Sequence, residues 1–101
     1  QDRAAWGKLY ESAVGAYLIN EVFCHPEIQL SYWREGSLEV DFVLRRYDRT
    51  IAIEVKSNAE ADTAGLHAFA EKFHPHRVLL VGEGGIPLES FWQTPIETFF
   101  S

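Results

Sequence analysis

Methionine is absent from this chain, cysteine occurs once, and no apolar run reaches ten residues; each scarcity removes a class of protein. A single thiol, Cys24, makes no internal disulfide and reads as a small buried hydrophobe in a reducing, cytoplasmic setting. A zinc cluster would have to draw its other ligands from histidine. A membrane-spanning helix takes roughly 20 consecutive apolar residues, so no membrane contact of that kind is expected. Basic residues are also scarce, nine Lys and Arg against fifteen Asp and Glu, for a formal net charge of −6. Strong nonspecific nucleic-acid binding depends on phosphate neutralisation by a basic face, and this composition argues against it. Five of the nine basic residues nevertheless fall between 31 and 56, where Arg34, Arg45, Arg46 and Arg49 form a candidate local patch for DNA or RNA.

What is present is a chain of 101 residues, 47% hydrophobic, enough for one core and too short for two, so residues 1–101 read as a single domain. It starts at Gln1 and enters helix-like sequence almost at once, which suggests a C-terminal piece of a longer protein. Residues 3–22 place Trp6, Leu9, Tyr10, Ala13, Val14, Tyr17 and Leu18 at helical steps, predicting an amphipathic helix with one buried stripe. Pro26 ends it. The segment "IQLSYWRE" predicts a strand, and from Leu38 the alternation is strict, with Leu38, Val40, Phe42 and Leu44 opposed to Glu39, Asp41, Val43 and Arg45. Ile51, Ile53 and Val55 alternate with Ala52, Glu54 and Lys56, which completes a hairpin. After "SNAEADTAG" comes a helix carrying Leu66, Phe69, Ala70 and Phe73, stopped near Pro75, and then "RVLLVG", a strand expected to be buried on both faces. The tail "IPLESFWQTPIETFFS" reads as one or two short helical turns packed on the sheet. The order α, β, β, β, α, β implies an α/β fold, a mixed sheet flanked by helices with one parallel strand pair.

The hairpin register decides where its charged residues meet. A tight turn centred on Asp48-Arg49 sets Phe42 opposite Val55, Leu44 opposite Ile53 and Asp41 opposite Lys56, with Glu54 on the diagonal. Cross-strand neighbours lie about 4.5–5.5 Å apart and diagonal ones about 7–8 Å, so the three side chains converge. Two carboxylates that close repel each other, and a divalent cation such as Mg²⁺, which takes carboxylate oxygens, relieves the repulsion. A lysine beside the ion is placed to orient water or to neutralise charge building on a phosphoryl transition state.

A helix bearing a glutamate, then Asp41, then "EVK" at 54–56, in this element order, resembles the PD-(D/E)XK nuclease superfamily with its restriction-endonuclease-like αβββαβ core. More narrowly, "GKLYESAV", "YWREGSLEVDFVL" and "IAIEVKS" are similar to the uncharacterised C-terminal domain that follows the P-loop module in a family of prokaryotic AAA-type ATPases, over roughly residues 5–81. The resemblance implies Asp41 and Glu54 as ligands of Mg²⁺ or Mn²⁺, Lys56 as the catalytic lysine and Glu11 as an accessory acid. It implies a phosphodiesterase acting on DNA or RNA, an upstream P-loop ATPase domain in the same chain, and ATP bound only there. Val40 stands where the superfamily motif has its proline. In this ATPase-associated branch a docking or regulatory module with a silent site is the alternative function.

Each residue also has a plainer reading. Asp41, Glu54 and Lys56 can be a solvated face with a cross-strand ion pair, worth about 0–1 kcal/mol. Glu11 can be a helix-surface acid paired with Lys8. His74 and His76 flank Pro75 with no carboxylate nearby in sequence and read as loop residues. Trp33, Phe91, Trp92, Phe99 and Phe100 read as core or interdomain packing.

Overall fold

Pro26 has no amide hydrogen to continue a helix, and the opening helix α1 (Arg3–Cys24) stops just before it. The turn closes by His25 N donating to Val22 O (3.1 Å) and Ile28 N donating to His25 O (2.9 Å), which feeds the chain into the sheet. The computed structural model describes residues 3–56 and 63–101, with side chains from residue 7 onward. Trp6, on the expected buried stripe, and most of "SNAEADTAG" lie outside the described side chains. Val14 and Leu18 of α1 are fully buried and Tyr10 and Tyr17 partly so, but Leu9 and Ala13 face outward. The buried stripe is therefore displaced from the one the sequence suggests, because α1 rests on the sheet through Val14, Gly15, Tyr17, Leu18 and Val22.

Strands β1 (Ile28–Glu35), β2 (Leu38–Arg46), β3 (Arg49–Lys56) and β4 (Arg77–Gly82) form one sheet in sequential order. β1, β2 and β3 pair antiparallel, and β4 joins β3 in parallel after the crossover helix α2 (Ala64–Phe73). The expected α/β order is present. One face carries α1, the short helix α3 (Leu88–Gln93) and a 3₁₀ turn (Ile96–Phe100), all packed on Leu44, Ile51, Ile53 and Val81. The other face carries α2, whose Leu66 and Phe69 close on Val40, Val43 and Ala52. Trp33 meets Phe69 edge-on with ring centroids 5.5 Å apart, while Phe91 and Phe100 are buried on the α1 face, so these aromatics are packing residues.

Two expectations are corrected by the sheet. β4 is an edge strand with Val78 exposed and Leu80 half-buried, because α2 sits over β2 and β3 and leaves the edge open. The hairpin register is also shifted: Phe42 pairs with Ile53, Leu44 with Ile51 and Arg46 with Arg49. The turn is thus centred on Tyr47-Asp48, one residue earlier than expected, with Tyr47 at φ 56. A two-residue hairpin turn needs positive φ to match strand twist, and here an exposed tyrosine takes it without a glycine to mark the position.

A bulge interrupts the strict alternation of β2. Ser31 pairs with Val43 but Trp33 pairs with Val40, so Asp41 and Phe42 together stand against Tyr32 alone. Val40 and Val43 consequently share the α2 face, while Phe42 packs on the α1 side. An extra residue in one strand bends it and sharpens its twist. The β2–β3 ladder extends no further than Phe42–Ile53, and beyond that point the two strands are held together differently.

Candidate functional site

Past the last ladder pair, side chains take over from backbone carbonyls. The Val55 amide donates to Asp41 Oδ2 (2.9 Å), and the Asp41 amide donates to Glu54 Oε1 (3.3 Å). Each carboxylate thus stands in for a strand acceptor, and each has a second oxygen to offer. The register expected from sequence put Lys56 across from Asp41; the observed one puts Glu54 there, because the turn is one residue earlier and the pairing moves by two. Asp41 and Glu54 are brought together more closely than predicted, and Lys56 is displaced along β3.

Both carboxyls are half-buried, and burial is the largest cause that pushes their proton affinities up. Asp41 rises to about 6: burial outweighs the stabilising Val55 amide, and the negative charges of Glu11 and Glu39 add to it. Glu54 rises to about 7, with burial first, then the Asp41 charge, against the stabilising Asp41 amide, with Glu39 and Glu11 adding further. Four acids therefore act on one volume. Three of them, Glu11 of α1 and Glu39 and Asp41 of β2, line a cleft of about 420 Å³ with Leu30, Tyr32 and Phe42, and Glu54 lies behind Asp41, outside that lining. The bulge turns Asp41 toward this cleft, and the approach of α1 to Phe42 at Gly15 brings the helix bearing Glu11 over it.

Lys56 is 7% exposed at the end of β3, on the side of the strand shared with Glu54 by alternation. Its carbonyl accepts from the Glu83 amide (3.1 Å), and its strand partner is Gly82. Gly82 sits at φ 112 with the Lys56 carbonyl so close that an added Cβ would lie 2.0 Å from it, so β4 grips the backbone that presents Lys56.

The four arginines do not form one patch. Arg34 lies at the Gly36 end of the sheet beside Glu39 (4.0 Å), near the acidic cleft. Arg45, Arg46 and Arg49 lie at the other end of the hairpin, four to eight residues along from Asp41 in β2 and β3. There Arg45 donates to Tyr47 O (3.0 Å), Arg46 stacks over the Phe100 ring (4.8 Å) and Arg49 donates to Phe100 O. His74 is the left-handed C-cap of α2, and His76 meets the Ser101 carbonyl (2.7 Å), as loop residues do. Cys24 is exposed, not a buried hydrophobe, because it ends α1 on the outward side.

Sequence reasoning missed Glu39 and Tyr32 as parts of the cleft. Strict alternation put Glu39 on the same face as Asp41 but gave no reason to bring α1 to that side. The bulge that does so leaves no glycine or proline in β2 as a signal. Two half-buried carboxylates are thus anchored by one oxygen each, with the charges of Glu11 and Glu39 acting on both.

No curated protein and no solved structure matches the chain. A family model matches residues 6–99, nearly the whole sequence. The chain belongs to the family described as Domain of unknown function (DUF4143).

Proposed function

We propose that this domain is a metal-dependent phosphodiesterase of the PD-(D/E)XK kind, joined in its parent chain to a P-loop ATPase. The observation that carries the reading is the Asp41–Glu54 pair: two adjacent carboxylates raised to about 6 and about 7, chiefly by burial, with Glu11 and Glu39 adding at both and the Asp41 charge adding at Glu54. A half-buried pair of like charges is unfavourable unless a cation shares it. Mg²⁺ or Mn²⁺, when bound, polarises a phosphate oxygen and lowers the proton affinity of water. In this reading Asp41 and Glu54 hold the ion, Glu11 and Glu39 supply negative charge at the cleft mouth, and Lys56 neutralises charge building on the phosphate. DNA or RNA is the substrate class, and Arg34 is the one arginine of the four near enough to meet its backbone.

Cleavage of linear, nicked and single-stranded DNA and of RNA, in Mn²⁺ and in Mg²⁺, tests it. Glu54→Gln and Lys56→Ala should each lower the rate by about a hundredfold or more, the scale of removing one preorganised charge from a transition state. Cleavage that persists in both variants would remove this site from the account.

A second reading, a docking or regulatory module of the ATPase with a silent site, draws on a different observation. Asp41 and Glu54 already do structural work, joining β2 to β3 where their ladder ends. Mn²⁺ binding that depends on Glu54 supports the first reading, and its absence supports the second. A "GxxxxGK(S/T)" loop upstream in the parent chain is expected under both.

A further inference from the structure

Far along α1 from Glu11, where the helix ends against the C-terminal segment, a second set of ligand-type side chains converges. Glu21 and His25 are one helical turn apart, and Glu97 reaches them from the 3₁₀ turn Ile96–Phe100. One ligand atom from each of the three lies within 4.8 Å of the others. His25 Nε2 stands 3.5 Å from Glu97 Oε1, and on the opposite edge of the ring His25 Nδ1 stands 3.6 Å from Glu27 Oε2.

These separations suit an ion better than a hydrogen bond. A charge-assisted hydrogen bond closes to about 2.7–2.9 Å, which neither contact does. Zinc bonds of about 2.0–2.1 Å put tetrahedral ligands roughly 3.4 Å apart, close to the His25–Glu97 spacing. Glu27 stands 3.6 Å from the other ring nitrogen, outside hydrogen-bond distance, and adds negative charge beside the ring. Negative charge is concentrated here: the Tyr17 hydroxyl is pushed up by burial first and then by Glu21 and Glu97.

We infer that Glu21, His25 and Glu97 form a binding site for a first-row transition ion of the zinc class. An imidazole nitrogen with two carboxylate oxygens selects such an ion over Mg²⁺ or Ca²⁺, which prefer oxygen alone. Three protein ligands leave room for water to complete the shell. The ion would staple the end of α1 to the C-terminal segment, two pieces of chain more than seventy residues apart in sequence. The site is separate from Asp41 and Glu54 and does not depend on the function proposed for them.

Zn²⁺ titration of the untagged chain, followed by calorimetry and thermal melting, tests the site. One His25-dependent Zn²⁺ should bind per chain and raise the melting temperature by about 5 °C or more at saturation. His25→Ala and Glu97→Gln should each weaken binding tenfold or more, while Glu71→Gln, at an exposed acid of α2 on the other face of the sheet, leaves it unchanged. Absence of saturable binding, equal binding by both variants and the unmodified chain, or loss of binding in Glu71→Gln would each overturn the assignment. A readout free of any folding defect is the imidazole NMR spectrum of the unmodified chain, which holds four histidines. Zn²⁺ should move the His25 resonances first, and movement of His74 or His76 in their place would refute the site.

Discussion

Asp41 and Glu54 are held by geometry against their own electrostatics, and this has a measurable consequence. Both carboxyls carry a higher proton affinity in the folded chain, about 6 and about 7, than ordinary values of 3.8 and 4.5. The folded state therefore binds more protons than the unfolded state between about pH 4 and pH 7. Stability from this pair is present at the acid end of that window and is lost as pH rises through it. Allowing for the solvent that screens two half-exposed groups, the loss is about 2 kcal/mol for the pair. Urea unfolding of the unmodified chain without divalent ions should show stability falling from pH 5 to pH 8, and the Asp41→Asn, Glu54→Gln double variant should show a flatter profile. Equal slopes in the two proteins would contradict the raised proton affinities. Mn²⁺ at pH 8 should return part of the lost stability to the unmodified chain only.

At the scale of elements, most of the architecture was legible because hydrophobic period reports which residues must leave water. The α1 periodicity, the β1 to β3 alternation and the α2 stripe each marked a real element to within a few residues. The register was not legible, since both a turn at Tyr47-Asp48 and one at Asp48-Arg49 bury the same apolar residues on the same face. Parity is set by burial, whereas the choice between registers two residues apart rests on turn conformation and the fit of neighbouring strands. The bulge at Asp41-Phe42 was hidden for a related reason: skipping one residue costs little local energy, but it lets Val40 and Val43 both reach α2. The N-terminal turn of α2 is pressed onto the same strand at Gly65, where an added Cβ would lie 2.0 Å from the Glu39 carbonyl oxygen. Gly65→Ala should therefore lift α2 from β2 and cost about 2 kcal/mol or more, read as a lower urea midpoint. A cost below about 0.5 kcal/mol would mean that the contact yields easily.

Over the whole molecule, two of the four arginines expected to form a nucleic-acid patch, together with Arg77, fasten the 3₁₀ segment to the sheet. Arg46 stacks on Phe100, Arg49 donates to the Phe100 carbonyl, and Arg77 donates to the Phe99 (2.9 Å) and Ser101 (3.0 Å) carbonyls. These bonds satisfy carbonyls at the end of the 3₁₀ turn that would otherwise need water. Phe100 is fully buried beneath them, so the tail is part of the core that also holds Ile51 and Ile53 of β3. Phe100→Ala should cost about 3–5 kcal/mol in unfolding free energy, and removal of residues 95–101 should cost more. A loss under 1 kcal/mol would show that the tail lies on the sheet without supporting it. Among the described residues no helix is long and apolar enough to cross a membrane, consistent with the short apolar runs.

By itself, the sequence determined the element order, most of the faces that must be buried and the placing of Asp41 and Glu54 on neighbouring strands of one hairpin. Those are consequences of local period and of residues separated by one hairpin. Only the tertiary structure decided that Asp41 meets Glu54 and not Lys56, that Glu11 and Glu39 share its cleft, and that Glu21, His25 and Glu97 gather elsewhere. The physical reason is the same in each case. These juxtapositions depend on a bulge, a turn and the contact of distant segments, whose free energies are small locally and are settled only when both faces of the sheet are packed at once.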